Sequence, residues 1–300
     1  MVTAPSGPHG MADAGRDEVG GRVLAAWDAF LDQAASVDLQ RGTRLPGWRA
    51  QEVCVHLGVW PDATALADLV ADARAGGTGS PADPDTANAR VTAAHRDASR
   101  DDVLAALRLA RAATERYLAD EPAWVDTAPT ASTVGRLPML SVVLGQAYEL
   151  AVHGLDLVSA GAALPPAEVL QSGIAALADV TGALAAANGI TGGATLATPD
   201  GGWVFAADGA GWTVHRLPAG RVTGTAVEAP ADLLLDAASG RVNPVVALAR
   251  RRLRVHQLGG LMQLAPIVTA APGIPGGPIL QLAARTLGST GGLLGRLRRG

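Results

Sequence analysis

Residues 148–157 read YELAVHGLDL and sit in the most apolar part of the chain. Three side chains there could do chemistry: Glu149, His153 and Asp156. Polar groups buried without partners are costly. The segment is therefore either a wet surface or a place where something binds. On an ideal helical wheel His153 lies about 40° and Asp156 about −20° from Glu149, so the three share one face. Gln146 joins them at about 60°. A Glu and a His four residues apart can both reach one cation, and helix bundles build metal sites from such inward stripes.

A further ligand must then come from a second helix. The stretch QEVCVHLGVW, residues 51–60, offers His56 at the edge of the apolar face formed by Val53, Leu57 and Trp60. Cys54 lies about 160° from His56 on that wheel and is set aside as a ligand. The constellation is His56, Glu149 and His153. Two imidazoles and a carboxylate with one open position form a catalytic zinc arrangement, although such ligands also accept nickel or iron. Asp156, one turn beyond His153, is placed to take an imidazole N–H, and with Gln146 it is expected to stand behind the ligands. Taken alone, E-x-x-x-H is a weak signal, and an exposed Glu149–His153 pair is the alternative reading.

These positions need helices to hold them. Apolar residues recur at helical spacing from Val19 to Leu31, again over 49–60, over 86–119, and from Pro138 to about 159. Pro61 should end or kink the second helix, with 62–75 as its continuation. The stretch EPAWVDTAPTAST reads as loop, and Pro138 as a favoured first-turn residue. Four such helices predict a four-helix bundle over residues 17–160. Residues 1–16, rich in Gly and Pro, are expected to be disordered. Beyond the connection SAGAALPPAE, the pattern changes. A helix at 167–188 is followed by the short strands ATLAT, GWVFAAD, GWTVHRL and RVTGTAVE. The helix ADLLLDAAS, a helix at 244–250, the strand LRVHQL and an apolar helix at 258–270 come next. Residues 167–270 thus read as a small α+β domain with an antiparallel sheet. An apolar, Pro/Gly-rich tail occupies 271–300.

The chain has 300 residues, 48% of them hydrophobic and 17% charged, which predicts a folded globular protein. The net charge is −4, so no basic field exists to hold nucleic acid. All 24 basic residues are arginine, the mark of a GC-rich genome such as those of actinobacteria. A single cysteine excludes an intrachain disulfide. The N-terminus lacks the pattern of a secretory signal, so a cytoplasmic protein is expected. The uncharged stretch before Arg285 is long enough to span a membrane, but Pro266, Pro272, Pro275 and Pro278 argue against a transmembrane helix. Arg136, Arg221, Arg241 and Arg254 could each hold a substrate carboxylate, or be solvated surface charges. Trp60 is placed to line the pocket. His9, His95, His215 and His256 have no partner at ligand spacing.

The segments LPGWRAQEVCVHLGVW and YELAVHGLDLVSA together resemble the mycothiol-dependent maleylpyruvate isomerase family. That pattern has Pro-Gly-Trp leading into helix two, His-Leu near its middle, and Glu-x-x-x-His-x-x-Asp on helix four. Here these are Pro46-Gly47-Trp48, His56-Leu57 and Glu149, His153 and Asp156. The resemblance implies a DinB-like metal-binding bundle and assigns the metal to His56, Glu149 and His153, the residues that the wheel selects. It extends over residues 17–265, since PADLLLDAASGRV resembles the helix and turn of the family's sterol-carrier-protein-2-like (SCP2-like) domain. One departure is His256-Gln257-Leu258-Gly259, where such domains show a Gly-Asp pair after the strand.

The resemblance implies a divalent metal, zinc first among candidates, and mycothiol as thiol cofactor. The partners are then a low-molecular-weight thiol and a small electrophile, and a monomer is expected. In the isomerase, thiolate adds to a cis double bond, the carbon–carbon bond rotates, and elimination gives the trans product. A relative could instead act as a thiol S-transferase. The alternatives from other classes are a non-catalytic protein binding metal and a lipid or acyl ligand, and a metal-dependent hydrolase using bound water.

Overall fold

In a computed structural model the described residues are 7–61, 65–80, 83–264, 266, 267 and 277. They form two compact units. One holds Met11–Ala176; the other holds residues 7–10 and the described residues from Leu177 onward.

The first unit is helical. Helix α1 (Gly15–Ser36) buries Val19, Val23, Trp27, Phe30 and Ala34 on one stripe and carries Asp17 and Glu18 in its first turn, where acids suit the helix dipole. Helix α2 (Ala50–Leu57) is short. Its start is tied down by hydrogen bonds from the Ala50 and Gln51 amides to the carbonyls of Arg41 and Leu39. Helix α3 (Ala65–Arg74) is a separate element rather than a continuation of α2; residues 62–64 lie outside the described set. The helix expected over 86–119 is two: α4 (Pro84–Ala94) and α5 (Arg100–Asp120). The break is local chemistry. The Ser99 hydroxyl exchanges hydrogen bonds with Asp102 as a capping box that starts a new helix.

The segment expected to be loop before the last helix contains a hairpin, β1 (Pro129–Ser132) and β2 (Gly135–Pro138), paired antiparallel. The hairpin is anchored by Asp72, which accepts from the amides of Ala131 and Gly79 and from Thr130. These bonds, led by the one from Ala131, hold the Asp72 carboxyl below its ordinary range. Pro138 then leads into α6 (Met139–Val158), whose residues are mostly buried. Helix α1 packs on α5 and α6, and α2 packs on the same two, giving the four-helix core.

Helix α7 (Ala167–Ala187) crosses the division between the units. It is long and apolar enough to cross a membrane, and it is buried. In the second unit follow β3 (Thr191–Thr198), β4 (Gly201–Asp208), β5 (Trp212–Leu217), β6 (Ala226–Glu228), α8 (Ala231–Ala238), α9 (Pro244–Ala249), β7 (Arg254–His256) and α10 (Leu258–Leu264). The sheet order is β5-β4-β3-β6-β7. All neighbouring pairs are antiparallel except β3 and β6, which run parallel. The protein is thus α+β, helical first and sheet-containing second.

The expected disorder of residues 1–16 is corrected over 7–16. Residues Gly10–Ala14 form a 3₁₀ turn, and His9 bridges to Trp212 at the start of β5. Arg16 pairs with Asp126 at 2.8 Å. The tail expected at 271–300 lies outside the described residues apart from Gly277.

Candidate metal centre

The site begins in the loop before α2. The Trp48 amide donates to the Leu45 carbonyl at 3.1 Å, and Gly47 has φ +79°. With Pro46 ahead of it, this is a type II turn, in which proline presets the first central residue and glycine supplies the positive φ of the second. The Pro-Gly-Trp motif is therefore backbone chemistry that aims Trp48. The chain then enters α2, where the Arg49 amide donates to Glu52 Oε2 at 2.8 Å.

His56 lies in the last turn of α2 and is half-buried. Its ring meets Trp48 edge-to-face at 5.8 Å between centroids and His153 at 5.1 Å. The plane of Trp48 is parallel to that of His153, at 6.5 Å. One indole thus borders both imidazoles. From α6, Glu149 Oε2 stands 3.6 Å from His153 Nε2. Ligand-capable atoms of His56, Glu149 and His153 all lie within 4.8 Å of one another.

The other nitrogen of His153 is spoken for. Its Nδ1 lies 2.9 Å from Asp156 Oδ2, and Asp156 is fully buried. A carboxylate only accepts, so the Nδ1 contact calls for an N–H on that nitrogen, and Nε2 faces the Glu149 oxygen at 3.6 Å. Two acceptors facing each other at this distance repel unless a cation or proton lies between them. The donor set, its spacing and the carboxylate behind one imidazole all fit a divalent ion of the zinc type.

Arg44 was not among the residues selected from the sequence. Its Nε donates to the second oxygen of Asp156 at 2.6 Å. The signal that could have found it is general: a fully buried acid in an apolar helix calls for a cation. Its partner, however, is 112 residues away in sequence.

The other expected residues have the following surroundings. The Gln146 side-chain oxygen accepts from Trp27 Nε1 and from Thr114 Oγ1, each at 2.8 Å. It ties α1 and α5 to α6. Trp60 donates to the Val55 carbonyl at 2.9 Å and stacks on His95 at 3.9 Å; these contacts cap the end of α2. Cys54 is buried, and desolvation pushes its thiol up to about 12, which agrees with setting it aside. Arg136 is exposed on β2. Arg221, Arg241 and Arg254 belong to the second unit. There Arg241 donates to the Ser239 carbonyl at 3.1 Å, Arg254 is 3.7 Å from Glu228, and His256 is 2.9 Å from the other oxygen of Glu228.

Residues 21–158 match the family described as Mycothiol maleylpyruvate isomerase N-terminal domain, which bears out the resemblance over the helical part. Two solved structures share the fold. A crystal structure of the mycothiol-dependent maleylpyruvate isomerase is 18% identical with a TM-score of 0.51, covering 78% of this chain and 92% of its own. A His-to-Ala mutant of the mycothiol-dependent maleylpyruvate isomerase is 16% identical with a TM-score of 0.50 and the same coverage. No curated protein matches the chain.

Proposed function

We propose, on the premise that residues 21–158 form a mycothiol maleylpyruvate isomerase N-terminal domain, that this protein is a metal- and mycothiol-dependent isomerase or thiol S-transferase. Its substrate in this reading is a small electrophile. The observation that carries it is the convergence of His56, Glu149 and His153 within 4.8 Å. A bound divalent ion supplies a Lewis acid that lowers the pKa of a thiol and so makes a nucleophile near neutral pH.

The chain's own residues do the rest. Asp156 fixes the tautomer of His153. Trp48 borders both imidazoles. The Glu149 side chain is 48% exposed, which leaves the ligand cluster open to solvent where a thiol and an electrophile can enter. In the isomerase branch the thiol sulfur bonds to one alkene carbon, the resulting single bond rotates, and the same carbon–sulfur bond breaks. The thiol is returned unchanged. In the transferase branch the carbon–sulfur bond is kept and the electrophile's leaving group departs. Within the helical unit, Arg136 is the proposed partner for a substrate carboxylate. The helix and turn at 230–242 support an SCP2-like reading of the second unit. A cytoplasmic monomer completes the proposal.

The test is elemental analysis of the purified protein with His56→Ala, Glu149→Ala and His153→Ala beside it, together with maleylpyruvate turnover with and without mycothiol. Each variant should lose zinc affinity by more than the roughly 10–100-fold that removal of an outer partner costs. Unchanged metal content would remove the ligand assignment. Metal retention with no thiol dependence on any electrophile would favour the binding or hydrolytic alternatives.

A further inference from the structure

We infer that Arg44 is a positioning residue for the metal centre, acting through Asp156 to fix the ring orientation and tautomer of His153. The inference rests on the proposal that His56, Glu149 and His153 hold a metal. Asp156 is fully buried on α6. A carboxylate held by one hydrogen bond is free to turn about its last side-chain torsion, which is broad and weakly restrained. Here each oxygen has its own partner: Oδ2 the imidazole Nδ1 at 2.9 Å, and Oδ1 the guanidinium Nε at 2.6 Å. The two bonds together fix the carboxylate plane, and the plane fixes the ring. A charge-assisted bond from a planar guanidinium is well suited to that task, because its N–H directions are rigid.

The chain's path strengthens the argument. Arg44 comes from the same loop as Trp48, across the type II turn at Leu45–Trp48, and Trp48 borders both His56 and His153. One short loop thus touches the ligand from α2 directly and sets the ligand from α6 through a buried acid. Loss of the guanidinium removes one of the two bonds that set the carboxylate plane, and the hold on the imidazole's orientation toward Glu149 weakens with it.

The experiment uses the full chain with Arg44→Gln, Arg44→Ala and Arg44→Lys. Zinc affinity is measured by competition with a chromophoric chelator. In metal-free protein, long-range proton–nitrogen NMR of His153 reports which ring nitrogen carries the proton. We expect Arg44→Gln to bind zinc roughly 10- to 100-fold more weakly, Arg44→Lys to recover part of the loss, and the Nδ1–H signature to give way to a tautomer mixture. Circular dichroism checks that each variant keeps its helices. If Arg44→Gln keeps wild-type affinity and tautomer, the inference is overturned. A lower unfolding temperature with neither readout moved also overturns it, because Arg44 is then only structural. If the wild type binds no zinc, the ligand proposal fails, and the tautomer of His153 in metal-free protein still decides for or against Arg44.

Discussion

His153 has two ring nitrogens, and the protein gives each a different neighbour: a buried carboxylate at Nδ1 and an exposed one at Nε2. That asymmetry gives the imidazole a defined direction, as the proposed ligand role requires. The wheel could find it because Glu149, His153 and Asp156 lie on one helix, where spacing alone sets direction. Arg44 was invisible by the same logic, since its link to Asp156 crosses 112 residues. Cys54, only two residues from His56, shows the opposite case. It faces the interior, and burial raises its thiol from an ordinary 9.0 to about 12. Folding therefore favours the neutral thiol. Its contribution to stability is intact below about pH 9, the unfolded thiol's range, and is lost as pH rises toward the folded value of about 12. Two outcomes follow. A thiol reagent at pH 8 should label Cys54 only in denaturant. Denaturant titrations between pH 9 and pH 11 should show a fall in stability that is smaller in Cys54→Ala.

At the scale of elements, the loop before α2 and the middle of α6 do most to build the site. Gly47 sits at φ +79°, and a Cβ there would meet open space. The cost of Gly47→Ala is thus backbone strain alone, about 1–2 kcal/mol. Urea unfolding should show it, and metal affinity should fall with it because the turn carries both Arg44 and Trp48. Gln146 makes the contrasting prediction. Its oxygen serves the Trp27 N–H and the Thr114 hydroxyl, so Gln146→Ala should cost about 1–3 kcal/mol by leaving those donors unpaired. Its metal content should stay at the wild-type level. Loss of metal in this variant would return Gln146 to the ligand cluster. The long helices were legible from apolar spacing. The split at Ser99 and the β1–β2 hairpin were not, because a capping box and an Asp72 anchor depend on a few polar side chains within an otherwise helix- or loop-like pattern.

At the scale of the molecule, the chain begins its described course in the sheet-containing unit before entering the helical one. The Trp212 amide donates to the Pro8 carbonyl at 2.9 Å, and the Gly7 amide to the Ala210 carbonyl at 3.2 Å. The Trp212 indole, in turn, donates to the buried Asp179 at 2.8 Å. Gly10 is needed there, since a Cβ would collide with that indole. Removal of residues 1–9 should destabilise this unit by on the order of 1–3 kcal/mol, the worth of two backbone hydrogen bonds. Hydrogen exchange should show the Trp212 amide losing protection; full protection in the truncated chain would mean that the segment is dispensable. By composition residues 1–16 read as a tail, because backbone pairing leaves no mark on side-chain pattern. The sequence by itself determined the long helices, the change from helices to short strands, the α+β class and the three ligand candidates. All of these follow from periodicity, which is local. Only the tertiary structure decided that Arg44 holds Asp156, that Gln146 serves helix packing, that Trp60 stacks on His95, and that β3 and β6 run parallel. Those contacts join segments far apart in the chain, and their partners are chosen by folding, not by spacing.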